Sequence, residues 1–102
     1  MIAVKSPLFK PGQVLATPGA LEALERSRQS VWFFLSRHLV GDWGVVDAED
    51  AEANNQSLKD GSRLLSAYIL DDVERTKIWL ISEAENDHGN REATTALLPD
   101  EY

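Results

Sequence analysis

The sequence contains no cysteine, which excludes disulfides, thiolate zinc ligands and a cysteine nucleophile. That lack suits a reducing cytoplasm. No apolar run approaches the roughly 18 residues needed to cross a membrane. The opening MIAVKSPLFKPG has no continuous apolar segment of the secretory kind. A cytoplasmic protein with no membrane partner is therefore expected. Gly12, Gly19, Gly41, Gly44, Gly61 and Gly89 fit no dinucleotide-binding or phosphate-loop spacing. No serine stands in a nucleophile-elbow context. No cofactor is expected.

Basic residues are scarce, and unevenly so. Ten Lys and Arg stand against 17 Asp and Glu, for a net charge of −7. Residues 1–41 carry five bases and two acids, whereas residues 42–102 carry five bases and 15 acids. Nucleic acid is a disfavoured partner, because phosphate affinity rests on Lys and Arg. An acidic surface instead suits a basic protein partner, for which it steers encounter. The same charge also serves plain solubility.

What the chain has in quantity is apolar: 43% of its 102 residues are hydrophobic, enough for one domain spanning 1–102. The densest stretch is Ser30 to Gly44, SVWFFLSRHLVGDWG, with two of the three tryptophans and two of the three phenylalanines. Ser30 is placed to cap a helix. Val31, Phe34, Leu35, His38 and Leu39 then share one helical face, and Gly41 suits a left-handed cap at its end. Trp32 and Phe33 lie off that face, which predicts a central helix covered on two sides.

Around this helix the remaining elements follow in order. Residues 1–12 read as an irregular lead-in, with Pro7, Pro11 and Gly12 breaking regular structure. A short strand is allowed over 13–16. Thr17 and Pro18 open a helix over 18–26 that presents Leu21 and Leu24 to the core. Asp47 caps a third helix, about 48–59, closed by Gly61, whose thin apolar side is Ala48, Ala51 and Leu58. The β-branched and aromatic segments at about 63–70, 76–83 and 91–98 read as strands. Their short connections predict a three-stranded antiparallel meander. In the middle strand Ile78 and Leu80 share one face, Lys77, Trp79 and Ile81 the other, so both faces are expected to be partly covered. The fold class is α+β, with N-terminal helices (about 18–26, 31–40 and 48–59) packed on the C-terminal sheet.

Few residues offer chemistry. His38 stands one helical turn before Asp42, a spacing at which a carboxylate could orient an imidazole. Its place on the apolar stripe favours a structural role. His88 shares a loop with Glu83, Glu85 and Asp87, which reads as solvated rather than metal-binding. Asp47, Glu49, Asp50 and Glu52 lack the glycine and terminal glutamate of a calcium loop. No metal is expected. Two readings remain. The first is a non-enzymatic interaction or regulatory domain binding through Asp42, Trp43, Asp47, Glu49, Asp50 and Glu52, with Trp43 reading as a core plug unless exposed. The second is a small ribonuclease or toxin-like enzyme using a basic, hydroxyl-bearing sheet face. Its candidates are His38, Lys77, Arg91 and Thr95, and alternation pairs Lys77 with Trp79 and Arg91 with Thr95.

Taken in order, LFKPGQVLATPGALEAL, RHLVGDWG, GSRLLSAYIL, TKIWLISEAE and TTALLPDEY resemble a family of small bacterial proteins met on plasmids and other mobile elements. Some of its members are labelled "plasmid-related protein". The resemblance covers nearly the whole chain, and the GDWG and TTxLLPxEY motifs are its most specific parts. The ENDHGN loop is longer than the family's compact turn. The resemblance implies a bacterial, mobile-element setting and carries over no catalytic residue.

Overall fold

Each helix begins where a side chain satisfies its first free amides. Thr17 accepts from the Ala20 amide at 3.1 Å, and Pro18 opens α1 (Pro18–Arg26). Ser30 accepts from the Trp32 amide ahead of α2 (Val31–Leu39). Asp47 accepts from the Asp50 amide at 2.8 Å and starts α3 (Ala48–Asp60). Such caps contribute about 1 kcal/mol each. The computed structural model describes residues 6–102, so the first five residues of the expected lead-in lie outside the described residues.

Four strands follow the chain as β1 (Gln13–Ala16), β2 (Leu64–Ile69), β3 (Lys77–Ser82) and β4 (Ala93–Leu97). The last three form the expected antiparallel meander. The sheet is nevertheless four-stranded and mixed, in the order β1-β4-β3-β2, rather than a three-stranded meander. β1 lies parallel to β4, aligned Val14 to Thr94 and Ala16 to Ala96. It is tied in at its ends by Gln13 N–H to Glu92 O and Thr17 N–H to Ala96 O.

The inward face of the sheet holds Leu64, Ser66 and Tyr68, Ile78, Leu80 and Ser82, and Thr94 and Ala96, all buried. Ala20, Ala23 and Leu24 of α1 and Phe34 and Leu35 of α2 pack onto it as one cluster. Both helices differ in detail from expectation. α1 buries its alanines and leaves Leu21 55% exposed. Small residues let this helix lie close to the sheet. α2 is covered on one side only, because Trp32 and Phe33 remain 62% and 56% exposed. α3 buries Asn54 and Ser57, whereas of its expected apolar side Ala51 and Leu58 are half-buried and Ala48 is exposed. The Asn54 amide donates to Leu65 O at 2.7 Å and accepts from Leu65 N–H at 3.0 Å. It thereby closes part of the outer edge of β2, which would otherwise present unpaired backbone groups. Among the described residues no helix covers the opposite face, and the closing 3-10 turn (Pro99–Glu101) and Tyr102 lie across Trp79.

Residues 43–45 run along the rest of that β2 edge, with Val45 N–H to Ala67 O at 2.7 Å and Ala67 N–H to Trp43 O at 3.1 Å. Gly44 makes this approach at φ +77°, and a Cβ there would stand 1.9 Å from Ala67 O. Gly44→Ala is therefore expected to cost on the order of 2 kcal/mol, read as a lower urea midpoint. A midpoint equal to wild type would refute this packing of the GDWG turn.

Candidate functional site

The most chemically capable group is sealed inside. His38 hangs from α2 over the inward sheet face, where Ser66 of β2 and Ser82 of β3 flank its ring. Nδ1 lies 2.5 Å from Ser66 Oγ and Nε2 lies 2.9 Å from Ser82 Oγ. Ser82 Oγ continues to Thr94 Oγ1 at 2.6 Å, and Thr94 donates to the Pro11 carbonyl at 2.8 Å. The carbonyl only accepts, which sets the directions from Thr94 back to the His38 Nε2–H. Thr94 donates to Pro11 O, Ser82 donates to Thr94, the His38 Nε2–H donates to Ser82, and Ser66 donates to Nδ1. Burial opposes a cation here, so the imidazole is neutral, with its proton on Nε2 and Nδ1 left to accept.

The surroundings hold it so. His38, Ser66, Ser82 and Thr94 are all fully buried. Phe9 and Trp43 meet the imidazole edge-on at 5.2 and 5.6 Å. Burial, reinforced by the Arg91 charge, lowers the His38 pKa to about 4. A hydroxyl beside an imidazole acceptor has the form of an activated nucleophile. Here no solvent-facing atom of the pair meets a substrate. Its effect is to lock α2, β2, β3, β4 and the 8–11 segment in one register.

Asp42 does not orient His38. Its carboxylate accepts from Arg37 Nε at 2.7 Å and Nη2 at 3.3 Å, and from the Gly44 amide. The Asp42 carbonyl accepts from the Tyr68 hydroxyl at 2.7 Å. Burial pushes the Tyr68 pKa up to about 12. Arg37 also lies 4.6 Å over the Tyr68 ring. Trp43 is buried, and its Nε1–H donates to Asn55 Oδ1 at 3.1 Å. The GDWG turn therefore anchors the fold.

Arg91 is the second internal hub. Its Nη1 donates to Ser62 O at 2.6 Å and Glu83 O at 2.9 Å, and its Nη2 to Ser57 O at 3.2 Å. The guanidinium sits 5.6 Å over the Phe9 ring, on the helix side of the sheet. Burial lowers its pKa below the ordinary arginine value. It lines a groove of about 550 Å³ with Leu8, Phe9, Lys10, Leu58 and Glu85. This placement overturns the expected pairing of Arg91 with Thr95. The chain is irregular between the isolated Glu85–Arg91 bridge and Ala93, so strict alternation fails there.

The four enzyme candidates are consequently dispersed. Lys77 and Thr95 lie on the uncovered sheet face, His38 is sealed beneath the helices, and Arg91 holds backbone carbonyls. Asp47, Glu49, Asp50 and Glu52 stand exposed at the start of α3. Glu49, Asp50 and Glu52 form no ion pair among the described residues. Among those residues no three His, Asp or Glu side chains converge as metal ligands would, and no helix is long and apolar enough to cross a membrane. Ser66 and Ser82 escape a motif search. The available signal is two serines at inward strand positions, which demands a buried polar partner. Comparison with protein-family models, with curated proteins and with solved structures gives no match.

Proposed function

We propose that this protein is a non-enzymatic interaction domain whose acidic α3 end receives a basic protein partner. One contrast supports the reading. His38 and Arg91 are spent on internal bonds, while Glu49, Asp50 and Glu52 face solvent without counter-charges among the described residues. Acids in a first helical turn also favour the helix dipole. Glu49 and Asp50 lie in that turn, whereas Glu52 lies beyond it. The ribonuclease alternative would need His38, Lys77, Arg91 and Thr95 to converge, and they do not.

The test is charge reversal that spares the Asp47 cap. Glu49→Lys with Glu52→Lys is expected to leave the melting temperature within about 5 °C of wild type, as surface changes do. The same change should abolish salt-sensitive capture of basic proteins from bacterial lysate by the tagged domain. Capture that survives the reversal would put the binding surface elsewhere. Shortening of added RNA, lost in Lys77→Ala, would restore the enzyme reading.

A further inference from the structure

One face of the sheet is left without a helix among the described residues. Registers across the four strands align Leu15 with Thr95, Thr95 with Ile81, and Ile81 with Leu65 on that face. Trp79 forms the next row, partly roofed by Tyr102 at 5.7 Å between ring centres. Leu15 remains 41% exposed, and Leu65, Trp79, Ile81 and Thr95 are half-buried. A row of Leu, Thr, Ile and Leu left in contact with water is an apolar surface that no other element among the described residues covers.

Its charges say what would cover it. Along β3 the outward residues run Lys77, Trp79, Ile81 and, one step past the strand, Glu83. The Glu83 amide still donates to Ala93 O at 3.0 Å, so the alternation holds that far. A base and an acid thus close opposite ends of one apolar line. A two-fold axis through its middle sets each Lys77 over the other copy's Glu83 and each Trp79 over the other's Ile81. That is the self-complementarity an isologous interface requires. Arg63, bonded to the Tyr102 hydroxyl at 2.6 Å, adds a second base to this face of a chain of net charge −7. With Glu83 and the Asp100 and Glu101 of the closing turn, this face carries charge of both signs, which a second copy can complement.

We infer that two copies of this chain associate through the outward faces of their sheets, with Lys77 of each paired to Glu83 of the other. This surface is separate from the acidic end of α3 and does not rest on that reading. Strands about 4.8 Å apart, with about 3.3 Å per residue, give a face of about 19 by 20 Å. Aligned sheets pack about 10 Å apart. That is about 380 Å² per copy, below the extent of stable specific interfaces, so the association is expected to be weak and transient, in the micromolar range or above.

Sedimentation velocity of the purified chain from about 2 to about 200 µM would bracket such a dissociation constant. The expected result is a monomer–dimer equilibrium. Leu15→Glu, at an exposed position, should abolish the dimer while leaving the circular dichroism spectrum unchanged. Lys77→Glu and Glu83→Lys should each weaken it about tenfold or more, through like-charge contacts at the rim. The double swap Lys77→Glu with Glu83→Lys should restore it. Only a pairing between the two positions predicts that rescue. A monomer at every concentration would overturn the inference. So would a dimer that survives Leu15→Glu and dissolves in Trp32→Glu, since the outer side of α2 would then be the contact.

Discussion

Phe34→Ala is expected to cost about 3–5 kcal/mol, while Phe33→Ala, one residue earlier, stays within about 1 kcal/mol. The two side chains have the same chemistry and sit on the same helix. Phe34 is 1% exposed, packs within 5.2 Å of the Tyr68 ring and belongs to the cluster joining α1, α2 and the sheet. Phe33 is 56% exposed and its ring meets that of Phe34 in a T-shaped pair at 5.1 Å. Truncating Phe34 therefore removes apolar burial and leaves a cavity beneath α2, whereas truncating Phe33 returns to water what was already wet. Domains of this size lose roughly 4–8 °C of melting temperature per kcal/mol. Thermal denaturation of the pair should separate them by at least about 10 °C. Against a typical total of 5–15 kcal/mol, Phe34→Ala leaves a marginal domain. Equal melting temperatures for the two variants would remove Phe34 from the core.

Local signals in this chain were legible because they act over a few residues. Thr17-Pro18, Ser30, Asp47 and Gly61 mark helix ends through capping bonds that close within the segment itself. The three long strands alternate and are joined by turns, so their antiparallel pairing follows from neighbourhood. β1 was not placeable in the same way. Its partner β4 is about 80 residues away, and four residues of QVLA carry no mark of a parallel alignment. Helical faces were legible only up to the point where size counts. Spacing alone puts Leu21 inward, but the close approach of α1 to the sheet selects Ala20 and Ala23.

The polar interior shows the same limit more sharply. His38 could be put on the buried stripe from its spacing, yet the hydrogen-bond chain through it draws on three strands and the 8–11 segment. No linear pattern joins Ser66, Ser82 and Thr94. What the sequence does offer is an excess of small hydroxyls at inward strand positions, and burial makes each of them require a partner. The same reasoning explains Arg91, which lies where alternation fails and satisfies three carbonyls around the end of α3.

That interior leads to the second large effect, a loss of roughly 3 kcal/mol of stability as the pH falls from about 6.5 to about 4. An unfolded chain protonates His38 near pH 6.5. The folded imidazole takes a proton only near 4, because burial and then the Arg91 charge oppose a cation there. Between those values the unfolded state holds more protons, so stability rises with pH and is fully present above the unfolded pKa. Protonation would also turn Nδ1 into a donor, so the Ser66 hydroxyl would have to turn round and accept. The depressed carboxylates act lower. Thr17 and the Leu98 amide hold Glu101 below its ordinary value, and the Glu74 amide does so for Asp71. Their contributions fade only as the pH falls below the ordinary carboxylate range. Urea unfolding of wild type and His38→Gln at steps from pH 7.5 to 4 separates the two windows. The variant should be less stable at pH 7 and flat down to about 4.5, whereas wild type should decline steadily through that range. His88 is present in both proteins, so the difference between the profiles belongs to His38. Parallel profiles would mean that His38 meets water, and the directed chain from Ser66 to Pro11 would fall with it.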